Sequence, residues 1–235
     1  MKAAMKIIGW LAIFSIAMGF MESAVVIYLR RIYYPGGFQF PLVALDPSIG
    51  LVELVREAAT IIMLLGIGIL SGKTASLRFA YFMFCFAVWD LFYYVFLWIF
   101  LGWPQSFFTW DILFLIPVPW VGPVLAPCIV SITMLLLAMG IIHFQGLGRN
   151  TRLNLKEWAM LSVGSFVIIV SFMLDYLRYM GEQSSNIGSV FSSDMSELKG
   201  YVPTDFNWAL FLTGELIVIF GVVVFFRRVG SGRES

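Results

Sequence analysis

Six stretches of this chain are apolar for the length of a bilayer, which leaves few folds available to it. Windows near the roughly 20 residues needed to cross a hydrocarbon core fall at 7–29, 51–71, 79–102, 120–143, 157–179 and 207–226. In lipid every backbone N–H and C=O must be satisfied inside the protein, so spanning segments are helices or closed barrels. Runs this long and this continuously apolar are helical. Composition agrees, with 60% hydrophobic residues, 12% charged residues and a mean hydropathy of +0.92, where soluble domains are about a quarter charged. The chain reads as a polytopic, all-α integral membrane protein, one transmembrane helical domain over residues 1–235, with the lipid bilayer as its first partner.

The first window resembles a signal peptide at its start, since Lys2 and Lys6 precede an apolar stretch. Cleavage after Ala24 would place Glu22 where a small residue is needed, and the apolar run continues through Leu29 to Arg30 and Arg31. An uncleaved first helix is therefore expected. Six spans return the C-terminus to the side of the N-terminus. If that side is the cytoplasm, the inner segments hold Lys2, Lys6, Lys73, Arg78, Arg149, Arg152, Lys156, Arg227, Arg228 and Arg233, against Arg30, Arg31, Arg178 and Lys199 outside, with Arg56 in a span. The bias follows the positive-inside rule and predicts a plasma (inner) membrane protein with both termini cytoplasmic.

The outer connections are the long ones. Tyr33 to Pro41 is turn-rich and aromatic, suited to lie over the outer face. Gly181 to Asp205 is Ser-rich, carries Glu182, Asp194, Glu197 and Asp205, and is expected to be solvated and partly mobile. The fourth span is interrupted by Pro117, Pro119, Pro123 and Pro127, which cannot all be interior helix positions. A short helical or re-entrant piece from Asp111, a break near Pro117–Pro119 and a helix from about Trp120 with Pro123 in its first turn are predicted. No other span shows a matching break, so the usual pointer to a repeat-built transporter is missing.

Ionisable residues in lipid are costly and usually mark function. With the topology above, Glu22, Asp90 and Asp175 fall in the outer half, near the midplane and at the outer end. Glu53, Arg56 and Glu57 share one face near the outer end of the second span, Glu215 lies roughly 12 Å into the sixth, and Asp111 opens the fourth. Each segment thus contributes an acid to the outer half or midplane, and the inner half contributes none. Tyr93 and Tyr94 follow Asp90 at i+3 and i+4, Arg178 follows Asp175 at i+3, and Thr60 extends the face of Glu57. Trp89, Trp103, Trp110 and Trp120 are candidate walls, although Trp103 and Trp110 suit an interfacial belt. The plainer alternative is that Glu53 and Arg56 form a local ion pair and that Glu57, Asp111 and Asp175 reach water at the boundary. The candidate ligand-binding set is Glu22, Glu53, Arg56, Glu57, Asp90, Tyr94, Asp111, Asp175 and Glu215.

Several chemistries are excluded. A single histidine, His143, at the inner end of the fourth span cannot supply bis-His haem ligation or a His-rich di-iron site. Two cysteines, Cys85 and Cys128, both in apolar runs, cannot build a four-ligand zinc site. An oxygen-only calcium, magnesium or manganese site from Glu22, Glu53, Glu57 and Asp90 stays open, with no spacing motif behind it. A formal net charge of +1 without a basic run offers nothing to nucleic acid. No cofactor and no oligomeric state is specified. The leading expectation is an acid-rich cavity, open to the outer side and holding one arginine, that binds and by extension moves a small cationic or polar ligand or protons. A membrane-embedded enzyme acting on a lipid-linked or amphipathic substrate from the outer leaflet is the alternative, and a small subunit of a membrane complex is a third reading. A polar path continuing inward past Asp90 would favour transport, and a pocket with its mouth at the outer leaflet would favour the enzyme.

Overall fold

The computed structural model describes residues 2–183 and 200–231, so that Asp194, Glu197, Lys199 and Arg233 lie outside the described residues. It is an all-α membrane protein of six helices, α1 (Lys2–Tyr33), α2 (Pro47–Ser71), α3 (Ala75–Leu101), α4 (Leu125–Gly146), α5 (Leu155–Gln183) and α6 (Trp208–Gly230). Each contains a stretch long and apolar enough to cross a bilayer. Polar residues set the helix starts by taking up backbone donors that the first turn leaves free. Asp46 accepts from the Ser48 N–H (2.9 Å) with Pro47 opening α2, Thr74 accepts from Leu77 (3.2 Å), and Asn207 accepts from Leu210 (2.9 Å). At α5 the cap is reciprocal, Asn154 and Glu157 each accepting from the other's N–H at 2.9 Å. Helix α3 ends at Gly102 in the left-handed region (φ 63°).

Helix α3 is the hub, with α1, α2 and α4 packed on it, while α4 also meets α6 and α6 packs along α5. The α5–α6 contact is a close backbone approach. A Cβ on Gly164 would sit 2.8 Å from the Gly214 carbonyl oxygen, and one on Gly214 would sit 2.9 Å from that of Gly164. Small residues are what allow helices in lipid to come this near. By contrast α1 and α2 make little direct backbone contact.

The fourth segment departs from its expected form. Residues 110–123 form an antiparallel hairpin, β1 (Trp110–Phe114) with β2 (Trp120–Pro123), in which Asp111 faces Gly122 and Ile112 faces Val121. There is no short helix at Asp111, and α4 starts at Leu125 instead of Trp120. Two-stranded pairing satisfies the N–H and C=O groups that a proline-interrupted helix would orphan, with Pro117 and Pro119 placed between the strands and Pro123 at the end of the second. Pro127 takes the first turn of α4, where its missing N–H is harmless. Since Asp111 belongs to the hairpin, α4 itself brings no acid.

The hairpin joins two connections into a cap. Leu42, between α1 and α2, exchanges backbone hydrogen bonds with the segment before α6, its N–H to the Tyr201 carbonyl and its carbonyl from the Gly200 N–H, both 3.1 Å. Leu42, Val118, Val121, Tyr176, Met180 and Tyr201 form the apolar core of the cap. The described end of the long connection is thus packed, with Tyr201 fully buried, where solvation and mobility are expected from its composition.

On the opposite side, where both ends of the described chain emerge, an acid absent from the sequence-based expectation is buried. Glu157 is fully buried and accepts from Arg228 Nε (2.7 Å) and Nη2 (2.8 Å), and Nη2 also donates to the Arg152 carbonyl (2.8 Å). The acids are therefore not confined to one half. This pair ties the start of α5 to the end of α6 and to the connection from α4. Removing one side of a buried pair leaves an uncompensated charge at about 3–5 kcal/mol. Arg228→Met is expected to lower stability by that order in thermal unfolding in detergent, and Glu157→Gln added to it to recover part of the loss. Simple additivity of the two changes would show that the pair is not coupled.

Candidate functional site

Between the cap-side halves of α1, α2 and α3 lies a cavity of about 150 Å³. Val26, Glu22 and Arg30 reach it from α1, Glu53, Arg56, Glu57 and Thr60 from α2, and Trp89, Asp90, Tyr93 and Tyr94 from α3. Asp111 and residues 112–115 of the hairpin, with Phe38, Leu42 and Leu45 of the cap, cover it from outside. The cavity expected at this end of the bundle is thus partly covered by the hairpin and the cap. Helical spacing explains the assembly. Glu22, Val26 and Arg30 recur at i, i+4 and i+8 on α1, and Glu53, Arg56, Glu57 and Thr60 on α2 share one face.

Two arginines stand in the cavity wall, where one was expected. Arg56 donates from Nε to Glu53 (2.8 Å) and from Nη1 to Glu22, bridging α2 to α1. Its side chain is 21% exposed and that of Glu22 14%, so the bridge sits at the margin of the cavity. Arg30 is buried and donates from Nη2 to Asp111 (2.9 Å), whose other oxygen receives the Tyr93 hydroxyl at 3.4 Å. Its guanidinium carbon lies 3.8 Å from the ring centre of Trp103 and 4.3 Å from that of Phe38, in the corner of two rings that stand 88° apart. Cation–π attraction at such desolvated contacts holds the charge where water cannot. Burial pushes the Asp111 carboxyl above its ordinary value, and the Arg30 guanidinium opposes that shift.

The other two carboxylates have no arginine of their own. Glu57 accepts the Leu115 N–H (2.9 Å), docking the hairpin on α2, and Asp90 accepts the Ser131 hydroxyl of α4 (2.7 Å). Three buried donors have no hydrogen-bond partner among the described residues: Nη1 of Arg30 and the indole N–H of Trp89, both on cavity-lining residues, and the indole N–H of Trp120, which does not line the cavity. No three His, Cys, Asp or Glu side chains converge as a metal cage among the described residues.

Of the sequence-based candidates, Glu22, Glu53, Arg56, Glu57, Asp90, Tyr94 and Asp111 line this one cavity. Asp175 and Glu215 do not. Asp175 clamps the cap onto α5, accepting from the Tyr201 hydroxyl (2.5 Å), the Thr204 hydroxyl (2.8 Å) and the Thr204 and Asp205 N–H groups (3.3 Å each), while Arg178 is exposed. Burial and donation to Asp175 push the Tyr201 phenol upward. Glu215 is buried and accepts from Thr133 at the α4–α6 contact. Among the tryptophans, Trp89 lines the cavity, and Trp103 is buried beside Arg30 instead of sitting in a lipid-facing belt. Trp110 packs on Phe206 and Trp120 stacks on Phe172. Arg30 is the cavity-lining charge that sequence reasoning missed, by counting it as a loop charge, although its i+8 spacing from Glu22 places it on the same face.

Comparison with protein-family models, with curated proteins and with solved structures finds no match. The reading of the site therefore rests on its geometry.

Because the Arg56 bridge is only partly buried, its loss falls between the cost of a surface pair, about 1 kcal/mol or less, and that of a buried one. Arg56→Met is expected to lower thermal stability in detergent by about 1–3 kcal/mol. Glu22→Gln on the Arg56→Met background should restore part of it, whereas Glu215→Gln on that background should add its own effect independently.

Proposed function

We propose that this membrane protein binds a small ligand carrying a cationic or hydrogen-bond-donating group in the cavity beneath the cap. The observation that carries the reading is the charge balance around one enclosed space: Glu22, Glu53, Glu57, Asp90 and Asp111 against Arg30 and Arg56, with no lysine or histidine in the lining. Paired guanidiniums answer three of those carboxylates, and Glu57 and Asp90 are left to receive a charge or donor from the ligand. Opposite charge within hydrogen-bonding distance is what makes a buried carboxylate tolerable.

Movement of the ligand across the membrane is the weaker part of the expectation. Inward of Asp90, Leu11, Leu64, Phe84, Cys85, Trp89 and Leu137 are buried in one apolar cluster, and the hollow nearer the termini between α1 and α2 is lined mainly by apolar side chains. That arrangement favours binding, or catalysis on a bound ligand, over a standing polar path. Carboxylates placed near Tyr93 and Tyr94 suit acid/base work on an amphipathic substrate, which keeps the enzymatic reading as the second one.

We place the cavity in the outer half of a plasma (inner) membrane, a reading that the distribution of basic residues supports. Lys6, Lys73, Arg78, Arg149, Arg152, Lys156 and Arg227 flank the ends of helices on the side of the termini, against Arg31 and Arg178 on the cap side, where Arg30 is consumed in the cavity. Reporters fused at the C-terminus or within 145–156 are expected to be active in the cytoplasm. Export of either reporter would turn the cavity to face inward.

A ligand that binds only the folded protein stabilises it, by about 2.7 kcal/mol at 100 times its dissociation constant. Ethanolamine and longer primary amines are expected to raise the thermal unfolding temperature of the purified protein, and acetate is not. The shift should disappear in Glu57→Gln and Asp90→Asn. Equal shifts in these variants and the native chain would remove the cavity from the reading.

A further inference from the structure

The cap lies over the cavity on the aqueous side, and a second, lateral route is open to a ligand that comes from the bilayer. The α1–α2 seam is one place where the wall holds little backbone contact. These two helices pack on α3 and barely on each other, and a second hollow separates them at the opposite end, between Trp10 and Phe14 of α1 and Ile67 of α2. In the cap-side half the seam is bridged by the side chains of Arg56 and Glu22, partly exposed at the cavity margin. The outer faces of both helices are apolar there, with Met21 and Val55 more than 60% exposed. A side opening walled by apolar surface faces acyl chains, not water.

The inside of the cavity specifies both halves of a zwitterion. Glu57 and Asp90 lack a cationic side chain of their own and call for an ammonium. Arg30 and Trp89, each 7% exposed, keep one N–H apiece without an acceptor and call for anionic or ester oxygens. Leaving a buried donor unsatisfied is expensive, more so on a charged group, and a ligand that presents acceptors relieves it.

We infer that the ligand is an amine-bearing phospholipid whose head group enters between α1 and α2, its ammonium meeting Glu57 and its phosphate meeting the free N–H of Arg30, with the acyl chains left in the bilayer along the seam. This deepens, and rests on, the reading of the cavity as a cation site. A volume of about 150 Å³ suits a head group of a few heavy atoms and not a whole lipid.

The test is calorimetric titration of the purified protein in detergent with short-chain phosphatidylethanolamine, short-chain phosphatidylglycerol, and soluble phosphoethanolamine and ethanolamine. Phosphatidylethanolamine is expected to bind at least about tenfold more tightly than each of the others, the worth of one charge-assisted contact. Glu57→Gln should abolish its advantage over phosphatidylglycerol. Arg30→Lys, which keeps a cation for Asp111 while removing the free guanidinium N–H, should weaken both lipids about tenfold. Should Glu57→Gln fail to fold, Asp90→Asn replaces it, and the comparison of the four probes on the native chain stands without either. If phosphoethanolamine or ethanolamine binds as tightly as the lipid, the cation site stands and the lipid assignment falls. If phosphatidylglycerol matches phosphatidylethanolamine, or none of the four binds, both fall.

Discussion

A guanidinium in a bilayer must bring its counter-charge with it, and much of this architecture follows from that requirement. Arg30, Arg56 and Arg228 each meet a carboxylate from a different element: the hairpin, α1 and α5 respectively. Such pairs are weak evidence for net stability, because desolvation consumes most of their attraction. Their value is in geometry. Once the charges are inside, every arrangement that separates them is heavily penalised, so the pairs select which helices lie side by side. The Arg30 pair fixes where the hairpin sits above α1, and the Arg228 pair fixes the ends of α5 and α6.

The two regions of the bundle solve the packing problem differently. Helices α5 and α6 touch backbone to backbone through Gly164 and Gly214, an arrangement that draws its strength from close van der Waals contact in a solvent as apolar as the side chains. Helices α1 and α2 lack such a seam and meet through long polar side chains over a hollow. Empty or wet space beside α1 and α2 forgoes dispersion contacts, and the cap compensates by docking on α2 through Glu57 and on α5 through Asp175.

Hydropathy made the six helices legible in the sequence, because a bilayer enforces length and polarity on every spanning segment. The periodicity of α2 made Glu53, Arg56 and Glu57 legible as one face. What the sequence did not reveal was pairing across distance. Arg30 and Asp111 are 81 residues apart, and Arg228 and Glu157 are 71 apart, with no local pattern that couples them. Arg30 therefore reads as a loop charge and Glu157 as a helix-start acid until the helices are packed. The hairpin was hidden for another reason. Trp110 to Pro123 is as apolar as a span, and its prolines announce a break without saying whether strand or turn replaces the helix. Asp175 and Glu215 were misjudged because depth alone cannot separate an acid that lines a cavity from one that clamps a loop or binds a neighbouring hydroxyl.

Placement of the cavity in the loosely packed region is consistent with a binding role. Sites that admit a ligand are drawn from the less stable parts of a fold, since a wall sealed by close backbone contact cannot part without losing that contact. Parting α1 from α2 breaks the Arg56–Glu22 bridge and little backbone contact, while Arg56 keeps Glu53 on its own helix as a partner throughout. The guanidinium is thus never left alone in lipid when the seam opens. Had Arg56 relied on Glu22 alone, opening would strand a charge at a cost of several kcal/mol. The second carboxylate, three residues away on the same face, is what would keep the guanidinium paired if this wall of the cavity parted.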